Sequence, residues 1–184
     1  MMLKGYEQDK AANAPQPKYR CLVWACPAHY YTNFTYWTQH CWGVTCVNDM
    51  EAMLSYQPIT IGDKEQALAD LVRCYEKMMM RSHTNGGYVN LLDECWKMCE
   101  KFHTNIVIMY DHVSCKNVGG LHGLFEDQAR ERGIHLIWIP HDVMDPRTVS
   151  RREMREAFSQ YMVTVLNEKP LDPTLLDYED TLSW

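Results

Sequence analysis

Two cysteines occupy positions where a thiol can do chemistry. Cys26 follows an apolar run that ends at Ala25, and Cys115 lies in the polar segment after the apolar run that ends at Tyr110. Each cysteine is predicted to lie between the end of a strand and the start of a helix. The free backbone N–H groups at a helix N-terminus stabilise a thiolate. Because a thiolate is the form that binds iron or attacks an electrophile, Cys115 is the first candidate site residue and Cys26 the second.

The neighbours of Cys115 strengthen its candidacy. Ser114, Lys116 and Asn117 flank it, and a Gly-Gly pair follows. Small and polar neighbours allow close approach of an iron–sulfur cluster and hydrogen bonds to its sulfurs. For Cys26 the competing interpretation is a buried thiol packed against Trp24.

The other six cysteines are better explained as core residues, because buried free cysteine behaves as a small hydrophobe. Cys95 and Cys99 are four residues apart and could share a metal, but no second Cys or His pair stands nearby at structural-zinc spacing. The six cysteines assigned to packing are Cys21, Cys41, Cys46, Cys74, Cys95 and Cys99.

Two further polar groups have competing interpretations. His141 and Asp142 are either an acid–base pair or a structural turn, and the prolines on either side favour the turn. Ser114, His112 and Asp111 resemble a nucleophilic set, but adjacent positions at a strand end point in different directions, and no G-x-S-x-G motif is present.

Apolar runs alternate with amphipathic segments, which predicts an α/β fold. Four runs lack polar alternation and are expected as strands buried on both faces. They are Arg20–Ala25, Val44–Val47, Asn105–Tyr110 and Ile134–Ile139. Helices are predicted over Asn33–Trp42, after Asp63 (with Leu68, Leu71, Tyr75 and Met78 on one stripe), over Tyr88–Phe102, over Leu121–Arg132 and after Ser150. Ser150 and Glu153 have the spacing of a capping box. The stretch His83–Gly87 is expected to break the helix before Tyr88.

The expected architecture is a three-layer sandwich of the Rossmann or flavodoxin-like kind, with a four-stranded parallel sheet and helices on both faces. In such folds ligands bind beyond the carboxyl ends of the strands, where the strand order reverses. The loops after the first, third and fourth strands carry Cys26, Cys115 and His141, so we expect the site there.

Length and composition bound the remaining possibilities. The chain has 184 residues, of which 46% are hydrophobic, a net charge of -6 and a pI of about 5.7. This charge argues against nucleic acid as a partner, and no run of about 18 apolar residues exists to span a membrane. We expect a disordered arm or linker over residues 1–18, one α/β domain over 19–169 and an irregular packed tail over 170–184. Without a signal peptide, the expected location is the reducing cytoplasm.

The segment Asn105–Val165 resembles the C-terminal domain of subunits of the 2-hydroxyacyl-CoA dehydratase and benzoyl-CoA reductase family. The order of elements is an apolar strand (NIVIMY), a cysteine loop (HVSCKNVGG), a helix, a second strand, and an x-D-x-x-D-x-R turn before a long helix. The turn Asp142–Arg147, followed by Ser150, is the closest match. The upstream strands correspond as well, so the resemblance covers about residues 19–165.

The resemblance implies a specific chemistry. Family subunits pair into heterodimers and carry [4Fe-4S] clusters held by three cysteines, one of them from a loop that matches Cys115 here. It implies that Cys115 is an iron ligand with Ser114, Lys116 and Asn117 beside the cluster. From its position alone, Cys26 is a weaker candidate ligand. An ATP-dependent iron–sulfur activator supplies one electron, and the acyl-CoA radical then loses its 2-hydroxyl group. In the benzoyl-CoA branch the ring is reduced instead.

One cysteine cannot hold a cluster alone, so we expect neither metal nor activity in the isolated chain. The other ligands are expected from an N-terminal domain or a sister subunit, with this chain a fragment or a split subunit. An oxygen-sensitive cluster suits the cytoplasm of an anaerobe.

Two other hypotheses stand beside this one. In the first, the chain is a non-catalytic, partner-binding α/β domain with structural cysteines. In the second, it is a thiol redox protein that uses Cys26 and Cys115. The redox hypothesis ranks last because the chain lacks a C-x-x-C motif.

Overall fold

A computed structural model describes residues 17–51, 58–76 and 79–177, with the backbone alone over residues 79–85. Its strands are β1 (Tyr19–Trp24), β2 (Val44–Asp49), β3 (Ile106–His112) and β4 (His135–His141). Its helices are α1 (Phe34–Trp42), α2 (Lys64–Glu76), α3 (Met79–Phe102), α4 (Lys116–Gly119), α5 (His122–Arg132) and α6 (Arg151–Thr164), and a 3-10 turn covers Pro173–Leu175.

The four strands form one parallel sheet in the order β2-β1-β3-β4. The predicted α/β sandwich with a four-stranded parallel sheet is therefore confirmed. The two central strands are β1 and β3. The chain goes from β1 to the edge strand β2 on one side, and from β3 to the edge strand β4 on the other. The strand order thus reverses between β1 and β3, and the crevice beyond their carboxyl ends is the place where this architecture binds ligands.

Both faces of the sheet are covered, which explains the absence of polar alternation in the strands. Side chains at alternate positions of β1, such as Cys21 and Val23, face α1 and α6, while Leu22 and Trp24 face α3 and α5. The β3 residues divide in the same way, and Ile106–Tyr110 are all at most 2% exposed. Two apolar layers, one on each side, therefore fix the sheet and the crevice at its edge.

Helix ends follow the signals in the sequence. Ser150 and Glu153 form the predicted capping box, in which the Ser150 side chain accepts a hydrogen bond from the Glu153 N–H and Glu153 accepts one from the Ser150 N–H. Asp63 accepts a hydrogen bond from the Gln66 N–H at the start of α2. Gly87, with φ 71° and ψ −177°, interrupts α3 within the stretch predicted to break the helix.

The stripe of Leu68, Leu71 and Tyr75 on α2 is 41–59% exposed rather than turned to a core, and Met78 lies outside the described residues. The opposite face of α2 is the one that is held inward, because it carries the buried Asp70. Its carboxylate accepts hydrogen bonds from the Thr60 N–H and hydroxyl and from Arg73. These polar contacts hold α2 to the preceding loop and leave its apolar stripe outward.

The C-terminal segment packs onto α1. The Trp37 indole N–H donates to the Leu175 carbonyl at 2.8 Å, and the Leu171 N–H donates to the Cys41 carbonyl at 2.7 Å. Most of the arm expected over residues 1–18 lies outside the described residues, because the structure does not describe residues 1–16. The end of the expected tail, residues 178–184, also lies outside them. Among the described residues, no helix is both long and apolar enough to cross a membrane.

Candidate functional site

A cavity of about 370 Å³ lies at the crevice between the carboxyl ends of β1 and β3. Part of the lining is apolar and includes Trp24 at the end of β1, Met50 just after β2, and Leu91 of α3. The other lining residues come from the end of β3, from α4 and from the loops that follow the strands. They are Ala25, Cys26, Tyr110, His112, Ser114, Cys115, Asn117, Val118 and Val143.

The structure brings both candidate cysteines to this one cavity. Cys115 lies after β3, at the start of the four-residue helix α4, where its N–H donates to the His112 carbonyl at 2.9 Å. Ser114 and Asn117 also line the cavity, whereas the exposed Lys116 does not. Three of the four predicted residues in this loop thus face the same space.

The chain leaves β1 through a sharp turn. Ala25 has a φ of 66°, a conformation that residues with a side chain rarely adopt. Cys26 follows, and its Sγ lies 3.8 Å from His29 Nε2. Glu51, just beyond β2, completes a group of three potential metal ligands whose donor atoms all lie within 4.8 Å of one another.

The pKa of the Cys26 thiol is raised to about 12, chiefly by burial and then by a hydrogen bond to the Glu51 carboxylate and repulsion from it. Without a bound cation, this thiol is neutral near pH 7. The sequence interpretation missed His29 and Glu51. One signal was present in the sequence, the C-x-x-H spacing of Cys26 and His29. The approach of Glu51 follows from β2 lying beside β1, which the residue types alone do not reveal.

His112 and Ser114 form a second polar group at the same edge. The backbone N–H of Ser114 donates to His112 Nδ1 at 3.1 Å, and the Ser114 hydroxyl lies 3.0 Å from the same nitrogen. This differs from the expectation that the two side chains diverge, because β3 ends at His112 and the next turn folds Ser114 back. The Asp111 carboxylate lies instead 3.2 Å from His122 Nε2.

His112 Nε2 is 4.0 Å from the Asp142 carboxylate. That separation is longer than a hydrogen bond, so the group does not complete a Ser–His–Asp triad. The pKa of Asp142 is held low because the backbone N–H groups of Asp145 and Met144 donate to its carboxylate. Asp142 therefore closes the turn that precedes α6, in agreement with the structural interpretation.

His141 is fully buried, and neither of its ring nitrogens has a hydrogen-bonding partner among the described residues. Its ring centroid lies 5.0 Å from that of Tyr110 and 5.5 Å from that of His112. Burial and then the nearby His112 lower the pKa of His141. The ring is consequently neutral near pH 7 and does not pair with Asp142.

The remaining six cysteines do not line the cavity. All eight cysteines of the chain lie within the described residues, and all are free thiols. Cys21 and Cys41 pack among the residues between the sheet and the pair α1 and α6, and Cys95 and Cys99 pack between the sheet and α3. Cys46 packs against the first of these layers. Cys74 lies half-buried on α2. Packing accounts for the first five.

Comparison with known proteins assigns the chain to a family. A family model described as 2-hydroxyglutaryl-CoA dehydratase, D-component matches residues 1–162. No curated protein matches the chain.

Proposed function

Because the chain belongs to the 2-hydroxyglutaryl-CoA dehydratase D-component family, we propose that it is one component of an iron–sulfur enzyme that removes water from a 2-hydroxyacyl-CoA. The observation that carries the proposal is the cavity at the reversal point of the sheet, which two thiols and a polar loop face. Membership of the family implies a partner component in a complex. The reaction itself is the loss of the 2-hydroxyl group and a C3 hydrogen as water, which leaves a 2-enoyl-CoA.

Cys115 is the residue we propose as a ligand of a [4Fe-4S] cluster. It lies half-buried at the cavity, beside the small polar Ser114 and Asn117. Clusters take three or four ligands, and among the described residues only Cys115 and Cys26 are thiols at this cavity. The residues thus fit part of a ligand set, and a second domain or the partner component would provide the rest. The bound cluster would supply low-potential electron transfer and an open iron site for the thioester carbonyl.

The chain's own residues would shape the surroundings of that chemistry. The apolar lining residues Trp24, Met50 and Leu91 would keep water from the reacting group, which strengthens the electrostatic interactions there. The hydroxyl of Ser114, held by His112, and the amide of Asn117 are hydrogen-bonding groups at the same cavity. A cavity of about 370 Å³ accommodates a small group rather than a whole acyl-CoA, so the rest of the substrate would lie against the partner.

A reducing, anaerobic cytoplasm is the setting we propose. Support comes from the eight free thiols, because disulfides are the rule only in oxidising compartments. An ATP-dependent iron–sulfur activator would supply the initiating electron. Ring reduction of benzoyl-CoA is the related reaction that the same assembly could carry out.

The alternative is a non-catalytic, partner-binding domain with structural cysteines. One observation favours it: the outward apolar stripe of Leu68, Leu71 and Tyr75 on α2, which is exposed within the described part of the chain. Such a face is typical of a protein–protein contact.

The test is an anaerobic reconstitution. The chain is co-expressed with the candidate partner and activator encoded beside its gene, and enoyl-CoA formation from 2-hydroxyacyl-CoA thioesters is measured by mass spectrometry with ATP and a reductant. The proposal predicts turnover that disappears when this chain is left out. Benzoyl-CoA as substrate distinguishes the reductase reaction. An assembly that turns over equally well without the chain would favour the non-catalytic alternative.

A further inference from the structure

We propose that Cys26, His29 and Glu51 form a binding site for a single zinc-class divalent metal ion, separate from the cluster ligand Cys115. The three donor atoms lie within 4.8 Å of one another, and Cys26 Sγ is 3.8 Å from His29 Nε2. This assignment is independent of the proposed dehydratase function, and it removes Cys26 from the set of cluster ligands.

The spacing of the donor atoms matches the metal. In tetrahedral zinc sites the Zn–S distance is about 2.3 Å and the Zn–N distance about 2.0–2.1 Å, which places the sulfur and nitrogen about 3.6 Å apart. The observed 3.8 Å between Cys26 and His29 therefore needs an adjustment of only a few tenths of an ångström. Glu51 can complete the site by a side-chain rotation, since its carboxylate is exposed.

The backbone holds Cys26 and His29 in place. The His29 N–H donates to the Val143 carbonyl at 2.8 Å, which ties the C-x-x-H segment to the loop after β4. The Tyr31 N–H donates to the Ala28 carbonyl at 2.9 Å and closes a turn between the two ligands and α1. The ligands are therefore presented by a fixed loop and need little ordering on binding.

Glu51 is positioned by the neighbouring strand. The N–H of Met50, the residue before it, donates to the Val23 carbonyl at 2.9 Å and continues the pairing of β1 with β2 to the strand end. Because β1 and β2 are adjacent and parallel, their carboxyl ends meet at the same edge. The sheet thus brings Glu51 to Cys26 although the two are 25 positions apart in sequence.

The donor set indicates the class of metal. One thiolate, one imidazole and one carboxylate are ligands that zinc accepts together, whereas magnesium and calcium require oxygen ligands. Three protein ligands leave a fourth position for water or another oxygen, as in catalytic zinc sites. Since Cys26 also lines the cavity, that fourth position would lie at the cavity edge.

The site is tested by titrating the full metal-free chain with cobalt(II) under anaerobic conditions. Neither the partner component nor the activator is needed. Cobalt(II) takes tetrahedral zinc sites, and its thiolate charge-transfer band in the near ultraviolet reports sulfur ligation. We expect one equivalent of cobalt(II) to bind with that band, and zinc(II) to displace it. Cys26→Ser should abolish the band, and His29→Gln or Glu51→Gln should weaken binding by more than about 100-fold, the upper range for loss of an outer-shell partner.

Two variants serve as matched controls. Cys74→Ser removes a half-buried thiol that does not line the cavity, and Cys115→Ser removes the proposed cluster ligand. Both variants should bind cobalt(II) like the wild type. Circular dichroism verifies that each variant is folded. The site is refuted if the wild type shows no thiolate band or if the band survives in Cys26→Ser. It is equally refuted if Cys115→Ser removes the band. None of these results depends on dehydratase activity, so the two proposals can fail separately.

Discussion

Phe158 is a core residue whose replacement tests the packing of α6 against α1. It lies on α6, is fully buried and meets two rings of α1. Its centroid is 5.9 Å from that of Phe34 at an interplanar angle of 90°, and 5.8 Å from that of Trp37 at 74°. Both are edge-to-face contacts, and they hold the two helices that cover one side of the sheet.

The structure separates two contributions at this position. Phe158→Ala removes the ring and leaves a cavity, which lowers the free energy of unfolding by about 3–5 kcal/mol. Phe158→Leu keeps an apolar side chain but loses the two ring contacts, so its expected cost is about 1–3 kcal/mol. For a domain of this size the alanine variant should lower the Tm by roughly 6–20 °C.

Urea unfolding, followed by circular dichroism and tryptophan fluorescence, measures both variants. The midpoint should fall while the m-value stays constant, because only stability changes. Val163→Ala is the control on the same helix: Val163 is 50% exposed, and its replacement should cost less than about 0.5 kcal/mol. A cost below about 1 kcal/mol for Phe158→Ala, or an equal cost for Val163→Ala, would contradict the close packing of α6 against α1.

Two smaller predictions concern the start of α6 and the contact of Glu168 with Lys18 and Tyr19. Ser150→Ala removes the hydroxyl that accepts a hydrogen bond from the Glu153 N–H. The free energy of unfolding, measured by urea titration, should fall by about 1 kcal/mol. An unchanged urea midpoint would mean that the capping box adds no stability. Lys18 and then Tyr19 hold the pKa of Glu168 below its ordinary value through hydrogen bonds. The resulting stabilisation is therefore present at neutral pH and lost as the pH falls below about 5. Glu168→Gln should flatten this acid dependence of the urea midpoint, and an unaltered pH profile would contradict the assignment.

Much of the fold could be predicted from the sequence because its signals are local. Unbroken apolar runs indicated strands covered on both faces, and Ser150 with Glu153 indicated the start of α6. The orientation of α2 was not predictable in this way. Its apolar stripe suggested a core-facing helix, but the hydrogen bonds of buried Asp70 to Thr60 turn the stripe outward.

The site was predictable only in part. The rule that ligands bind beyond strand ends placed Cys26 and Cys115 at one edge, and both residues line the cavity there. The contact of Glu51 with Cys26 depends on β2 lying beside β1, and strand order is not contained in a single sequence. The hydrogen bond between Ser114 and His112 depends likewise on a turn whose geometry the residue types alone did not reveal.

The central claim is that Cys115 binds iron in the assembled enzyme. Its most direct test is the iron and acid-labile sulfide content of the anaerobically purified complex of this chain with its partner component, for the wild type, Cys115→Ser and Cys74→Ser. We predict that Cys115→Ser loses the cluster that this chain helps to hold while the complex still assembles, and that Cys74→Ser retains it. Wild-type iron and sulfide in an intact Cys115→Ser complex would contradict the claim.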